Sequence, residues 1–402
     1  MKHLRLLIIS LVGLVALIGL GLFFWQRSIP PAPPPPAPPI PSPLVIWHWP
    51  LSVKDTPHPG VTHWLDKSST DGTVLDFFDF DFKANPHLRF EIYDQDQDDD
   101  KPFDDTADCW PHGVGWATHH LNTMGRGQVV TAWHGLFFNC DAATHPAIVG
   151  ALKPSPYIGH HVTPVVLDGK VHANVGQARW TFGVQYDKHG RPAFQTLLMP
   201  DKATLAKSFT FAAGGAQCLI KNGKPQKLHP WPNLDDPAPR QPVPCGPEEA
   251  GYIPNVDWIQ TTRATVGWSR DNKHFYLLFV KQTGTEGGAV MASHGHGPPT
   301  GGWTITDEQQ FWLAKKVWGA INSDGGDVGQ LTFLQQSGNY LLLPPVAEDR
   351  LTFTPDFLNA PAAGTLLYFF VRDTGKAVPP APDSGGVRKE RVSRSGSPRI
   401  GG

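Results

Sequence analysis

The segment GGWTITDEQQFWLAKKVWGAINSDGGDVGQLTFL, from Gly301 to Leu334, decides how the chain is expected to fold. It predicts a helix, a tight break, a short buried strand and an acidic glycine loop. Thr306 fits the N-cap of the helix, and Gln309 three residues later completes a capping box. Apolar residues at helical spacing predict one buried face, formed by Phe311, Ala314, Val317 and Trp318. Gly319 suits the left-handed residue that ends a helix.

The acidic loop after this strand carries two carboxylates around a glycine pair, in Ser323-Asp324-Gly325-Gly326-Asp327. Loops at the ends of core elements often carry binding and catalytic residues. Taken alone, Asp-Gly-Gly is also typical of an ordinary turn. The loop therefore becomes a candidate site only with support from elsewhere in the sequence.

Both ends of the 402-residue chain predict non-globular segments. Leu6 to Trp25 is apolar and long enough to span a bilayer, and the cationic residues before it predict a cytoplasmic tip. No small-residue cleavage site follows, so residues 1–28 predict an uncleaved anchor rather than a removed signal peptide. Residues 29–44 are proline-rich and predict a stiff spacer, and residues 377–402 a disordered basic tail.

Residues 45–376 are expected to form the globular, extracytoplasmic body, either periplasmic or extracellular. Fourteen tryptophans and 22 phenylalanines supply ample apolar side chains for a core. The formal net charge of −2 gives no support for nucleic-acid binding. In an exported body the four cysteines are expected to pair, with Cys109–Cys140 and Cys218–Cys245 favoured among three possible connectivities.

The body predicts an α+β fold, a strand-rich mixed sheet domain with few helices that follows the N-terminal transmembrane helix. Alternation of Phe78, Phe80 and Phe82 with aspartates predicts a strand, which we expect to form a hairpin with a second strand at 88–93. Asp168-Gly169 predicts the turn of another hairpin. Further strands are expected at 128–132, 179–186, 218–221, 264–268 and 275–280, and a short second helix at 202–208.

The acidic run DQDQDDDKPFDD, from Asp94 to Asp105, has two interpretations. Carboxylates of Asp94, Asp96 and Asp98, with Asp105 at the twelfth place, resemble a calcium loop. The glycine expected at the sixth place is missing, and no flanking helices are predicted. A solvated acidic loop is therefore favoured over a calcium site, and we expect no other cofactor.

Four blocks of this sequence together resemble the phosphodiester glycosidase family. They are AWHGLFF (132–138), AGGAQCLIKNGK (213–224), RATVG (263–267) and AINSDGGDVGQL (320–331). The family shows A-x-N-G-G-F-F, A-G-G-P-x-L-V-x-x-G-K, R-T-A-x-G and A-x-N-L-D-G-G-G-S-S in the same order. One block alone would be little indication of the family. Four blocks in the same order, the last of them on a predicted helix–strand–loop, are a more specific indication. The resemblance covers residues 60–370 and identifies a divergent member.

The departures from the family pattern fall within the blocks themselves. His134 stands in place of the family asparagine, and Leu136 in place of its second glycine. Asp327 replaces the third glycine of the last block, and Val328 and Gly329 replace small hydroxyl residues. An altered substrate and a loss of catalysis both remain open.

The resemblance implies a hydrolase that cleaves glycosyl phosphodiesters. Such a reaction needs a carboxyl group at the oxocarbenium-like centre and donors that hold the phosphate. Asp324 is expected to act as acid/base or nucleophile, Asp327 as a second carboxylate, and His134 as a proton-transfer group. The candidate phosphate-binding residues are Arg263, Asn322, Gly325 and Gly326, since a guanidinium fork and backbone N–H groups suit an anion.

Bland interpretations of the same residues stay open beside these roles. His134 on an apolar strand end could be a core histidine, and Arg263 a surface ion-pair partner. From the resemblance and the predicted anchor, we predict a membrane-anchored hydrolase acting on a glycosyl-phosphate linkage of an envelope glycan or glycolipid. The alternative is a catalytically silent glycan-binding or envelope-assembly module on the same fold.

Overall fold

Alternating apolar and polar residues organise this chain into strands that pair in antiparallel fashion. The computed structural model describes residues 53–68, 73–98, 106–107, 113–136, 139–140, 159–161, 163–173, 180–198, 200–226, 228, 262–282, 301–325, 329–343, 351–353 and 366–375. Every strand pair within these ranges is antiparallel.

In chain order the elements are β1 (Val53–His58), β2 (Val61–Lys67), β3 (Val74–Asp81), β4 (Leu88–Asp94), a 3₁₀ turn (Gln95–Asp98), β5 (Thr106–Ala107), α1 (Val114–Thr123), β6 (Gln128–His134), β7 (Asn139–Cys140), β8 (Gly159–His160), β9 (Val165–Leu167), β10 (Lys170–Ala173), β11 (Trp180–Tyr186), β12 (Pro192–Leu198), α2 (Lys202–Ser208), β13 (Phe211–Lys221), β14 (Lys224–Pro225), β15 (Arg263–Trp268), β16 (His274–Lys281), α3 (Ile305–Lys315), β17 (Gly319–Gly325), β18 (Leu331–Leu334), β19 (Tyr340–Leu343), β20 (Leu351–Phe353) and β21 (Leu367–Asp373).

The described strands form a large sheet, a second sheet and a small third one. The large sheet has the order β1-β2-β3-β16-β15-β17-β13-β11-β12, with β9, β10 and β14 attached beside this path. The second sheet has the order β20-β19-β18-β6-β21-β4, and β5-β8-β7 form the third. The strand-rich α+β prediction is confirmed, with three α-helices in the described ranges.

The two larger sheets pack face to face around one apolar core. Phe78 and Phe80 of β3 belong to this core together with Phe90 of β4 and Trp133 of β6. The alternate residues of β3, such as Phe77, face α3 on the outer side of the large sheet. Helix α1 packs on the outer side of the second sheet. The resulting layers are helix, sheet, sheet and helix, and the period-two alternation of β3 supplies both of its faces.

Helix α3 begins two residues earlier than predicted. Thr304 is the N-cap, and its side chain accepts a hydrogen bond from the Asp307 N–H in a capping box that Asp307 completes. The Thr306 and Gln309 box is therefore wrong. The left-handed residue at the end is Lys316, with φ 57°, and Gly319 instead starts β17. Val317 and Trp318 consequently lie beyond the helix.

Several strands lie where the alternation places them, but one pairing is wrong. Strands β3 and β4 are both present, yet they belong to different sheets and do not form a hairpin. The connection turns back at Asn85, whose N–H donates to Asp81 O at 3.0 Å. The Asp168-Gly169 hairpin is confirmed, since φ is 49° and 75° at these positions and β9 pairs with β10.

Cys218 is a free, buried thiol, so its predicted pairing with Cys245 is not formed. Its Sγ lies 3.7 Å from Thr196 Oγ1 and 3.6 Å from Ile220 O, inside the large sheet. Burial raises the pKa of this thiol to about 11. Cys109 and Cys245 lie outside the described residues, so the other pairing stays a prediction.

Within the described ranges, no helix is both long and apolar enough to cross a membrane. The predicted anchor, spacer and tail, at 1–28, 29–44 and 377–402, lie outside these ranges. The membrane anchor and the extracytoplasmic location therefore stay predictions.

Candidate functional site

Three of the four sequence blocks form neighbouring strands of the large sheet. Strand β17 carries the last block and lies between β13 and β15. Asn322 pairs with Gln217 on one side and with Thr265 on the other. Arg263 pairs with Gly325 at the end of the same ladder. The blocks AGGAQC, RATVG and AINSDGG are thus brought together by strand pairing.

The first block approaches this region from the second sheet. The ring of His134, at the end of β6, lies 6.4 Å from the ring of Phe279 in β16. Phe279 pairs with Ala264, the residue after Arg263. The Ala264 carbonyl in turn accepts a hydrogen bond from Ser323 Oγ at 2.8 Å. The first block therefore covers the inner face of the large sheet, where Phe279 and Ala264 belong to the core between the sheets, whereas Arg263 contacts Trp303 on the outer side beside α3.

A β-bulge shapes the end of β17 where the candidate residues lie. Between the pairs Thr265–Asn322 and Arg263–Gly325, β15 advances two residues and β17 advances three. Bulges of this kind re-aim side chains next to functional sites. A Cβ at Gly325 would lie 2.5 Å from Thr262 O. Only glycine therefore allows this close approach of two backbones.

Asn322 is buried in this ladder, with 6% of its surface exposed. In the part of the chain that the structure describes, its Oδ1 accepts no hydrogen bond. A buried amide oxygen without a donor costs free energy of about 1–3 kcal/mol, and native proteins keep few of them. A ligand that donates to Oδ1 would remove this cost. Among the predicted site residues, Asn322 therefore has an indication of a binding role from the described structure.

Arg263 is buried as well, with 6% exposure, so it is not the surface ion-pair partner that its position also allowed. Its Nε donates to Trp303 O at 3.2 Å, just before α3. Burial raises the pKa of Asp307, the first-turn carboxylate of α3, and the charge of Arg263 partly opposes this rise. The guanidinium is thus held near the N-terminal end of a helix, beside the strand of the acidic loop.

His134 is completely buried, and its ring is fixed by the backbone of Gln330. Its Nδ1 accepts a hydrogen bond from Gln330 N at 3.1 Å, and Gln330 Oε1 accepts one from Val114 N at the start of α1. These contacts match the core-histidine interpretation. Its predicted proton-transfer role stays a prediction.

The glycine of the first block is explained by close packing. Gly135 N donates to Leu367 O at 2.7 Å, and a Cβ at this position would lie 2.8 Å from the Leu367 Cβ. Leu136, which replaces the family glycine, is fully buried in the core between the two sheets. This departure therefore contributes to packing.

Two residues outside the predicted set, Gln217 and Gln330, also belong to this region. Gln217 is buried and pairs with Asn322, and Gln330 orients His134. Both lie inside the matched blocks, so their position there was the available signal.

Other predicted site residues are described only in part. The backbone of Asp324 lies in β17, whereas Gly326 and Asp327 lie outside the described residues. Of the calcium candidates, Asp94 and Asp96 come together with His161, a residue that the prediction did not include. Asp98 belongs to the 3₁₀ turn, and Asp105 lies outside the described ranges.

No family model and no curated protein matches this chain. Among solved structures, it is similar to the pro-peptide-inhibited catalytic domain of zebrafish N-acetylglucosamine-1-phosphodiester alpha-N-acetylglucosaminidase, with 14% identity and a TM-score of 0.43 over 80% of this chain and 86% of that one. A protein from Burkholderia pseudomallei shows 10% identity and a TM-score of 0.40 over 75% and 74% of the chains. A hypothetical protein from Synechocystis shows 10% and 0.36 over 78% and 62%. These likenesses are too distant to carry an argument.

Proposed function

We propose that this chain is a hydrolase that cleaves the glycosyl-phosphate bond of a sugar 1-phosphodiester. The observation that carries the proposal is the buried amide of Asn322, whose Oδ1 has no donor among the described residues. The β-bulge of β17 lies between Asn322 and the pair of Arg263 and Gly325. A polar acceptor beside a buried cation suits a substrate that presents both sugar hydroxyls and a phosphate.

The proposed reaction adds water to the anomeric carbon and releases the phosphate as a monoester. Arg263 offsets the negative charge of the phosphate, and Asn322 accepts a hydrogen bond from a sugar hydroxyl. The carboxyl group of Asp324 stabilises the oxocarbenium-like transition state or attacks the anomeric carbon. Because the leaving group is an acidic phosphate ester, it departs with little need for protonation. Asp327 is proposed as the second carboxylate.

The envelope substrate class belongs to this proposal because it depends on the N-terminal anchor. An apolar segment at 6–25 followed by a proline-rich spacer would hold the body at a membrane surface. Glycans and glycolipids of the envelope are the sugar phosphodiesters found at such a surface.

The test uses the full chain, purified from the membrane fraction in detergent, and a panel of hexose 1-phosphodiesters with different aglycones. Release of free sugar is followed by NMR. We expect Asp324→Asn to abolish release, and Asn322→Ala to lower it by roughly 10²-fold, as for removal of one hydrogen-bonding group at a transition state. Ser323→Ala is the matched control, because its hydroxyl bonds only to Ala264 O among the described residues.

Each other result has a defined meaning. Phosphorylated glycan that binds without turnover, and more weakly to Arg263→Ala, would favour the silent binding module. If no compound of the panel is hydrolysed or bound, the result would contradict both the hydrolase and the silent binding module. Recovery of the chain in the soluble fraction would contradict the anchor.

A further inference from the structure

Three metal-ligating side chains meet in the interior, on elements that the proposed reaction does not use. Asp94 is the last residue of β4, Asp96 lies in the 3₁₀ turn, and His161 lies between β8 and β9. Their exposed fractions are 0%, 1% and 5%. One ligand atom from each lies within 4.8 Å of the others.

The geometry of Asp94 indicates an occupant between these groups. Its Oδ1 accepts a hydrogen bond from Asp96 N at 3.1 Å, which fixes the carboxylate. Its Oδ2 lies 2.9 Å from His161 Nε2, yet within the described residues it accepts no hydrogen bond. Asp96 Oδ2 lies 3.9 Å from the same Nε2. Bonds of about 2.0–2.1 Å place neighbouring ligands of one metal ion about 3.0–3.4 Å apart without aligning them for hydrogen bonding. The 2.9 Å separation of Asp94 Oδ2 and His161 Nε2 is close to this range, and Asp96 Oδ2, at 3.9 Å, would approach when the ion binds.

The charges of the cluster support the same conclusion. Two carboxylates removed from water cost free energy unless a positive charge compensates them. An ion pair with His161 would offset at most one of the two negative charges, whereas a divalent cation between Asp94 and Asp96 would offset both. Structures keep buried carboxylates chiefly when they are paired or when they coordinate a metal.

We propose that Asp94, Asp96 and His161 bind a divalent transition-metal ion, zinc or manganese. The donor set of two carboxylates and one imidazole suits these ions. Calcium prefers a shell of six to eight oxygen ligands, in which an imidazole has no place. The proposal therefore differs from the favoured solvated loop and from its calcium alternative, because the site includes a distant histidine.

The position of the site gives the ion a structural role. Asp94 ends a strand of the second sheet, whereas His161 leads into β9, which pairs with β13 of the large sheet. A bound ion would link the two sheets at this end of the molecule. Binding that occurs only in the folded state raises stability, so chelation is expected to lower the melting temperature of the full chain.

The test measures metal content directly. The full chain is stripped with a chelating resin, equilibrated separately with Zn²⁺, Mn²⁺ or Ca²⁺, freed of excess ion and analysed by mass spectrometry for metals. We expect about one equivalent of zinc or manganese and at least a tenfold loss in Asp94→Asn and His161→Ala. Asp79→Asn is the matched control, because Asp79 pairs with His274 at 2.8 Å outside this cluster.

Calcium alone, or no stoichiometric metal, would overturn the proposal, and so would unchanged metal content in both variants. If circular dichroism shows that the variants do not fold, X-ray absorption spectroscopy of the zinc-loaded wild type identifies the ligands of the ion instead. Nitrogen and oxygen ligands with an imidazole signature would support the site. A sulfur ligand, or ligation without imidazole, would overturn it.

Discussion

Gly319 is a glycine because of space and not because of its backbone angles. It pairs with Trp268, and a Cβ at this position would overlap the six-membered part of the indole ring. We expect Gly319→Ala to lower the free energy of unfolding by about 1–3 kcal/mol, as overpacking does. Urea denaturation measures the change. Gly338→Ala measures the cost of a backbone angle alone, since φ there is 85° and no atom lies within 4 Å of the added Cβ. Unchanged stability of Gly319→Ala would contradict the steric explanation.

The same residue shows what the sequence could predict at this scale. A glycine after a helix indicates a special position, but its identity does not distinguish a left-handed angle from a close approach. The sequence also does not show the surroundings of a polar side chain, because His134 and Asn322 are both polar residues near strand ends. The structure gives His134 a backbone partner and leaves the Asn322 Oδ1 without one among the described residues.

Helix α3 offers a prediction at the scale of one element. Thr304 Oγ1 accepts a hydrogen bond from Asp307 N at 3.2 Å, while the hydroxyl of Thr306 is buried without a partner in the described ranges. We expect Thr304→Ala to cost about 1 kcal/mol of stability, because the helix loses its N-cap. Thermal and urea unfolding check this value. Thr306→Ala is the matched control, and a larger loss in that variant would restore the cap that the sequence predicted.

Elements were more predictable than their partners, for a physical reason. Alternation along β3 specifies which side chains face a core, and this depends only on the local period of two. Strand pairing depends on distant segments. The expected β3–β4 hairpin is therefore wrong, because the chain passes from one sheet to the other between these strands. The β9–β10 hairpin succeeded because Asp168-Gly169 fixes its turn locally. Helix α1 was missed although Val114, Ala117, Thr118 and Leu121 follow the helical spacing, because polar residues interrupt it.

At the scale of the whole molecule, the candidate site depends on sheet packing. The blocks of β13, β15 and β17 meet by strand pairing, and the block of β6 joins them only because the second sheet covers the first. The order of the four blocks in the sequence contains no information about this packing. The pairing of three blocks, and the position of the fourth across the core between the sheets, are thus results that the structure adds to the resemblance.

The two sheets are also joined by a polar contact near the ends of the described chain. Asp373, the last residue of β21, lies in the second sheet, and His58, the last residue of β1, lies in the large one. His58 Nε2 lies 2.7 Å from Asp373 Oδ2, which also accepts a hydrogen bond from Asn85 Nδ2 at 3.0 Å. Gly375 N donates to the other oxygen at 2.8 Å. This carboxylate therefore ties both sheets to the turn after β3.

Asp373 is expected to make the stability of the fold sensitive to acid. Burial raises its pKa, but the hydrogen bonds from His58, Asn85 and Gly375 outweigh this effect and hold the pKa below 3.8. A carboxylate with a depressed folded pKa contributes stability that is present above the unfolded pKa and is lost as pH falls through the folded value. We expect the Asp373→Asn variant to lose about 1–2 kcal/mol at neutral pH and to show a weaker decline of unfolding free energy below pH ~4. Urea titrations at a series of pH values measure both effects.

Asp168→Asn is the control, because this exposed turn residue has φ 49°, which asparagine also adopts. If both variants show the slope of the wild type, the link between the sheets does not depend on the charge of Asp373.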